Sequence, residues 1–145
     1  MSTIKEYRIK KEKTDFTKVK ITGSNDLNKY VRHFYSDDIG IYESFFILLL
    51  NKSMHTVGYA KISQGGIVGT VVDVKIIYKY VVDSLASYVI ICHNHPSGNI
   101  QPSEEDKKIT QKIKVGLKEI CDTKLLDHII VTEDSYFSFA DENLI

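Results

Sequence analysis

The chain has 145 residues, 43% of them hydrophobic and 26% charged, the composition of a single soluble globular domain rather than a collagen-like or wholly disordered chain. Nineteen basic side chains balance nineteen acidic ones, so no global charge draws the protein to nucleic acid or to a membrane. The balance is uneven along the chain: residues 1–35 hold nine basic and four acidic side chains, an excess of +5, which marks a candidate partner surface. The longest apolar run, Phe45–Leu50, is far short of the ~20 residues a membrane span needs, and the charged N-terminus does not read as a signal peptide. A cytoplasmic protein without membrane contact is expected. Cys92 and Cys121 lie in apolar surroundings without a spaced framework and read as free thiols.

In chain order, residues 1–22 intersperse Tyr7, Ile9, Phe16, Val19 and Ile21 with lysines, which predicts a basic, extended, partly docked arm ahead of a single domain over 23–145. Ser24 and Asn25 are positioned to cap a short helix carrying Leu27, Tyr30, Val31 and Phe34. Ser44–Leu50 is apolar on both faces, as in a central strand covered on both sides. A turn at 51–53 leads to an alternating strand over 54–63, and Gly65-Gly66 predicts a hairpin into a strand over 67–72. Val74, Ile77, Tyr78, Val81 and Leu85 recur with helical spacing behind Asp73, a predicted N-cap. Tyr88–Cys92 reads as a short buried strand. After a Pro/Gly loop comes a helix from about Ser103 to about Glu119, then strands over 126–132 and 136–139. Strands and helices intermix, predicting a mixed α/β or α+β sheet with helices packed on it.

The chemistry concentrates where the Tyr88–Cys92 strand ends. His93-Asn-His95-Pro-Ser-Gly98 follows it directly, and side chains two apart in extended chain share a side, so both imidazoles face one point while Cys92 faces away. Such a pair suits Zn²⁺, which needs a third protein ligand in a catalytic site. Advancing about 100° per residue along the helix, Asp106 falls on the stripe of Ile109, Ile113, Leu117 and Ile120, whereas Glu104 and Glu105 do not. A carboxylate aimed at a core is costly unless it is paired, hydrogen-bonded or bound to a cation. Ser103-Glu-Glu-Asp106 equally fits a capping box, with Asp in the place of the usual Glu or Gln. Two imidazoles and a carboxylate also suit Fe²⁺ or Mn²⁺. His33 and His55 have no spacing partner and read as surface or half-buried side chains.

His93-x-His95, seven residues, Ser103, two residues and Asp106 reproduce the His-x-His-x7-Ser-x2-Asp pattern of the JAMM (MPN-plus) metalloproteases. With Pro102–Asp106, Leu126-Asp-His-Ile-Ile130 and Tyr136–Asp141 in the same order, residues 17–142 resemble the RadC-like JAB domain. The resemblance implies a curved mixed β-sheet flanked by helices. It also implies one Zn²⁺ per chain on His93, His95 and Asp106, and two catalytic residues. Glu43, just before the Phe45–Leu50 strand, would act as general base on the metal-bound water and then protonate the leaving amine. Ser103 would hydrogen-bond the developing oxyanion. Spacing alone makes Glu43 an exposed carboxylate at a strand start. It alone also makes His128 a buried structural histidine, although its RadC-like motif suggests a contact to a ligand histidine.

Val74-Lys75 stands where such proteins commonly carry Pro-Arg, and Asn143 where Gly is common. The helix-hairpin-helix module of full-length relatives is not expected within these residues. The function implied is a zinc-dependent peptidase or isopeptidase acting on an unidentified protein substrate, in an oligomeric state the sequence leaves open. The alternatives are a DNA-repair-associated factor binding nucleic acid through residues 1–35, or an assembly module with an inert site. A zinc deaminase is set aside because its His-x-Glu and Pro-Cys-x-x-Cys signature is absent.

Overall fold

The computed structural model describes residues 2–8, 10–66 and 70–145. Its elements are helix α1 (Ser24–Val31), strands β1 (Ser44–Leu50) and β2 (Thr56–Gln64), helix α2 (Val74–Ser84), strand β3 (Tyr88–Asn94), helix α3 (Glu104–Cys121), and strands β4 (Lys124–Val131) and β5 (Tyr136–Ser138). The strands form one mixed sheet in the order β2-β1-β3-β4-β5. Among the described residues only the β3–β4 pair is parallel, joined by the crossover through α3, as parallel neighbours require.

β1 is buried over its whole length because both faces of the sheet are covered. Phe45, Ile47 and Leu49 pack with Ile77 and Val81 of α2 and Ile113 and Leu117 of α3. Phe46, Leu48 and Leu50 pack on the opposite face with Ile21 and with Leu27 and Val31 of α1. The alternating apolar run therefore feeds two cores at once, and the strand next to it, β3, is held in the middle of the sheet.

The segment before α1 docks through its last residues. Thr56 N donates to Val19 O (2.8 Å) and Ile21 N to Met54 O (3.0 Å), a short bridge centred on Lys20 and His55. The Phe16 ring lies 5.2 Å from Tyr59 and 5.8 Å from Phe34. His33 is exposed and His55 half-buried. No helix among the described residues is long and apolar enough to cross a membrane.

Several expectations change. α1 begins at Ser24, with Gly23 rather than a side chain at its N-cap, because the Ser24 hydroxyl instead donates to Asp141 Oδ2 at 2.6 Å. Asp73 does cap α2, accepting from Lys75 N. Leu85 lies outside the buried stripe: α2 ends before it, its φ of 54° is left-handed, and its side chain is 85% exposed. Ile120 is 66% exposed. The buried stripe of α3 runs through Thr110, Ile113 and Leu117 toward Cys121, leaving Ile120 on its flank. The strand expected over 67–72 lies outside the described residues at 67–69, and residues 70–72 are not strand. Asn143, where the family resemblance leads one to expect Gly, has a φ of 56°. Asn is among the few other residues that tolerate that region.

β4 is tied to the turn beyond β5 by Asp127. Its carboxylate accepts from Ser138 Oγ (2.6 Å), His128 N (2.7 Å) and Ala140 N (2.9 Å). Asp127→Ala strands those donors and is expected to lower unfolding stability by about 2–3 kcal/mol. Asp127→Asn keeps an acceptor and places an amide that Ser138 Oγ can accept, so its loss should be smaller; chemical denaturation of both variants ranks them.

Candidate metal centre

His93 lies in β3 opposite Phe45, and its ring stacks on that phenyl at 5.9 Å and 16°. His95 follows the strand, and its backbone N still donates to Val131 O at 3.0 Å. The two Nε2 atoms are 3.0 Å apart. From the first turn of α3, Asp106 places Oδ1 3.3 Å from His93 Nε2 and Oδ2 3.2 Å from His95 Nε2. The structure thus brings His93, His95 and Asp106 together at one point. Cys92 faces the opposite core, where burial pushes its thiol up to about 12, so it offers the site no thiolate.

The two roles open to Asp106 in sequence terms are filled together. Ser103 Oγ accepts from Asp106 N at 3.0 Å while Ser103 N donates to Asp106 Oδ2 at 2.8 Å, a complete capping box. The same carboxylate faces the histidines. Ser103 therefore sits at the rim as the helix cap, and accepting one hydrogen bond leaves its own O–H free to donate.

Donor chemistry points to a cation. His95 Nδ1 is 2.6 Å from Asn99 O; a carbonyl only accepts, so Nδ1 carries the proton and the neutral ring turns a bare Nε2 toward the site. Burial opposes a charge on Asp106, but its polar neighbours, the imidazoles of His93 and His95 and the donating Ser103 N, outweigh it and hold the carboxyl well below the usual range. Burial likewise opposes an imidazolium at His95, but the Asp106 carboxylate facing its Nε2 and the bond to Asn99 O raise its affinity for a proton. The space between these groups favours positive charge. Tetrahedral ligands about 2.0–2.1 Å from Zn²⁺ lie roughly 3.3 Å from one another, close to the 3.0, 3.2 and 3.3 Å separations here.

Glu43 completes the cluster: it, His93 and His95 each bring a potential ligand atom within 4.8 Å of one another. Glu43 Oε2 accepts from Thr70 N at 2.9 Å, and Glu43 O accepts from Gly65 N at 2.9 Å. Its placement depends on a residue that the sequence reading passed over. Asn94, between the two histidines and fully buried, donates to Ile39 O and Tyr42 O and accepts from Ser44 N, each at 2.7 Å. Both chain neighbours of Glu43 are thereby fastened to the end of β3. A polar residue pointing away from the histidines on a buried strand was the available signal, since a buried amide needs partners.

His128, weighed in sequence terms as a structural side chain, touches a candidate ligand: its Nε2 is 2.6 Å from His93 Nδ1. A bulge in β4 brings this about. Val89 pairs with Leu125 but Ile90 with Asp127, so one extra residue reverses the strand's alternation and turns His128 to the face of His93.

A mixed sheet with a His-x-His pair at the end of a central strand, faced by a helix-borne aspartate and a glutamate from the neighbouring strand start, has the architecture of JAB/MPN domains. The RadC-like JAB domain family model matches residues 21–144, and the chain belongs to this family. A UPF0758 protein of Flavobacterium johnsoniae is 48% identical over 103 residues, covering 71% of this chain and 44% of that protein. One from Porphyromonas gingivalis is 41% identical over 104 residues, 71% of this chain and 45% of its own. One from Fusobacterium nucleatum is 37% identical over 137 residues, 93% and 57% respectively. The chain spans about half the length of these curated relatives.

Asn94→Ala leaves two carbonyls and one N–H without partners and is expected to cost about 2–4 kcal/mol and to speed amide exchange at Ser44. Asn94→Asp should be worse, because it sets a carboxylate oxygen against the carbonyls of Ile39 and Tyr42. Hydrogen-exchange mass spectrometry on both variants, beside denaturation curves, checks the order.

Proposed function

We propose that the protein is a zinc-dependent hydrolase of amide bonds, a peptidase or isopeptidase with a protein substrate. The observation that carries this reading is the convergence of His93 Nε2, His95 Nε2 and the Asp106 carboxylate within 3.3 Å of one another, with Glu43 beside them. In this reading His93, His95 and Asp106 hold the ion. Bound there, Zn²⁺ supplies Lewis acidity, which can bring the pKa of a bound water toward about 7.

The remaining work falls to the chain. One carboxylate oxygen of Glu43 is engaged by Thr70 N; the other receives the proton of the attacking water and delivers it to the leaving amine nitrogen. Ser103 accepts Asp106 N and turns its hydroxyl proton toward the oxygen that gains charge on the substrate carbonyl. Asn94 and the Phe45 ring hold Glu43 and His93 in register, so little rearrangement is needed at the moment of reaction. A cytoplasmic setting, where a metal rather than a disulfide organises the chain, fits the free Cys92 and Cys121.

The test is metal content by mass spectrometry on protein purified without added metal. About one zinc per chain is expected, with loss of it in His95→Ala and Asp106→Ala variants that keep their circular dichroism. Glu43→Gln should retain the zinc and lose hydrolysis of whichever isopeptide-linked or linear peptide the parent protein cleaves, by a factor on the order of 10²–10⁴. Absence of stoichiometric metal, even after zinc titration at neutral pH, would overturn the reading.

A further inference from the structure

The buried side of His93 carries a second chain of contacts that the proposed hydrolysis does not use. His128 is fully buried; its ring stacks on Phe139 at 4.5 Å and 11° and meets Phe45 edge-on at 6.0 Å. Its Nδ1 lies 2.5 Å from Thr110 Oγ1, and that hydroxyl lies 2.5 Å from Asp106 O. Thr110 is itself buried on the inward stripe of α3, one turn beyond Asp106.

The protons along this chain can be assigned by donor counting alone. A carbonyl oxygen only accepts, and two bare oxygens at 2.5 Å would repel, so the single proton of Thr110 Oγ1 points to Asp106 O. The hydroxyl then has only a lone pair to offer His128, whose Nδ1 must carry the hydrogen in that contact. Enclosure between two aromatic rings disfavours a doubly protonated ring, which leaves His128 Nε2 bare. Facing it at 2.6 Å, His93 Nδ1 must in turn donate. His93 is left with an unprotonated Nε2, directed at His95 and Asp106.

We propose that Thr110 and His128 are positioning residues of the metal centre: a one-way donor chain from His93 through His128 and Thr110 to the Asp106 carbonyl selects the Nδ1–H tautomer of His93 and presents its Nε2 lone pair to the ion. This deepens the metal-site reading and rests on it. The chain also closes a loop, since it starts at one candidate ligand and ends on the backbone of another. β3, β4 and the first turn of α3 are thus locked together behind the site. Partners behind ligand histidines commonly affect metal affinity by 10–100-fold.

The test uses the full 145-residue chain, ¹⁵N-labelled at histidine, with Zn²⁺ alone as the probe. Long-range ¹H–¹⁵N correlation spectra of the metal-free protein are expected to show His93 and His128 both protonated on Nδ1. Thr110→Val, nearly isosteric but unable to accept a hydrogen bond, should abolish that single tautomer at His93 and weaken zinc binding about 10–100-fold in a chelator competition. Thr110→Ser should restore both readouts, which a purely structural loss would not do. If Thr110→Val fails to fold, the wild-type spectrum still decides: a proton on His93 Nε2 overturns the proposal. Equal zinc affinity in folded Thr110→Val and wild type also overturns it while leaving the metal-site reading standing. Failure of the wild type to bind zinc at all removes both.

Discussion

Two imidazole nitrogens 3.0 Å apart, with a carboxylate 3.2–3.3 Å from each, form an arrangement that a folded chain must hold against its own preferences. Bare lone pairs repel, and a part-buried carboxylate has lost water it would otherwise keep. The surrounding architecture supplies the constraint. β3 is gripped on both sides, antiparallel to β1 and parallel to β4, so the backbone that delivers His93 cannot retreat. Asp106 is fixed by the helix that carries it, because its Oδ2 also accepts Ser103 N. The first turn of a helix favours negative charge, which helps to keep that side chain ionised. In the metal-site reading, a cation between these groups converts a strained cluster into a coordinated one.

The support is layered by distance from that point. Phe45 presses a ring against His93 and belongs to the larger core beneath α2 and α3, coupling ligand orientation to the packing of β1. Asn94 uses its whole amide on the segment that bears Glu43. Adjacent residues of one strand end therefore do complementary work. The histidines point toward the candidate metal centre, while the asparagine between them points away and aligns the carboxylate.

Much of this was legible in the chain. The uniform apolar run of Ser44–Leu50 announced a strand buried on both faces, the His-x-His spacing followed from strand alternation, and the helical phase of Asp106 aimed it inward. The misses have physical causes. Alternation places His128 correctly only if the extra residue in β4 is known, and a bulge without Gly or Pro leaves no mark in sequence. Leu85 and Ile120 satisfy a helical period that the real helix either stops short of or rotates past. Ser24 has the side chain of a cap, yet a partner 117 positions away competes for its hydroxyl. The capping box and the inward carboxylate were read as rivals, although one oxygen of Asp106 serves both because the cap lies at the rim of the site.

The two carboxylates at the centre differ in how they are held, and this separates their roles within the metal-site reading. Both oxygens of Asp106 are committed: Oδ1 to His93, and Oδ2 to His95 and the Ser103 backbone. It has little freedom to rotate and is suited to a ligand, whose job is to stay in place and stay charged. Among the described residues Glu43 is committed through one oxygen, to Thr70 N, on a longer side chain whose backbone is anchored through Gly65 and, one residue to either side, through Asn94. A proton carrier must present the same oxygen first to water and then to the leaving nitrogen, which requires a fixed base and a mobile tip. The anchored backbone of Glu43 and its second oxygen, unengaged among the described residues, meet that requirement, whereas Asp106 does not.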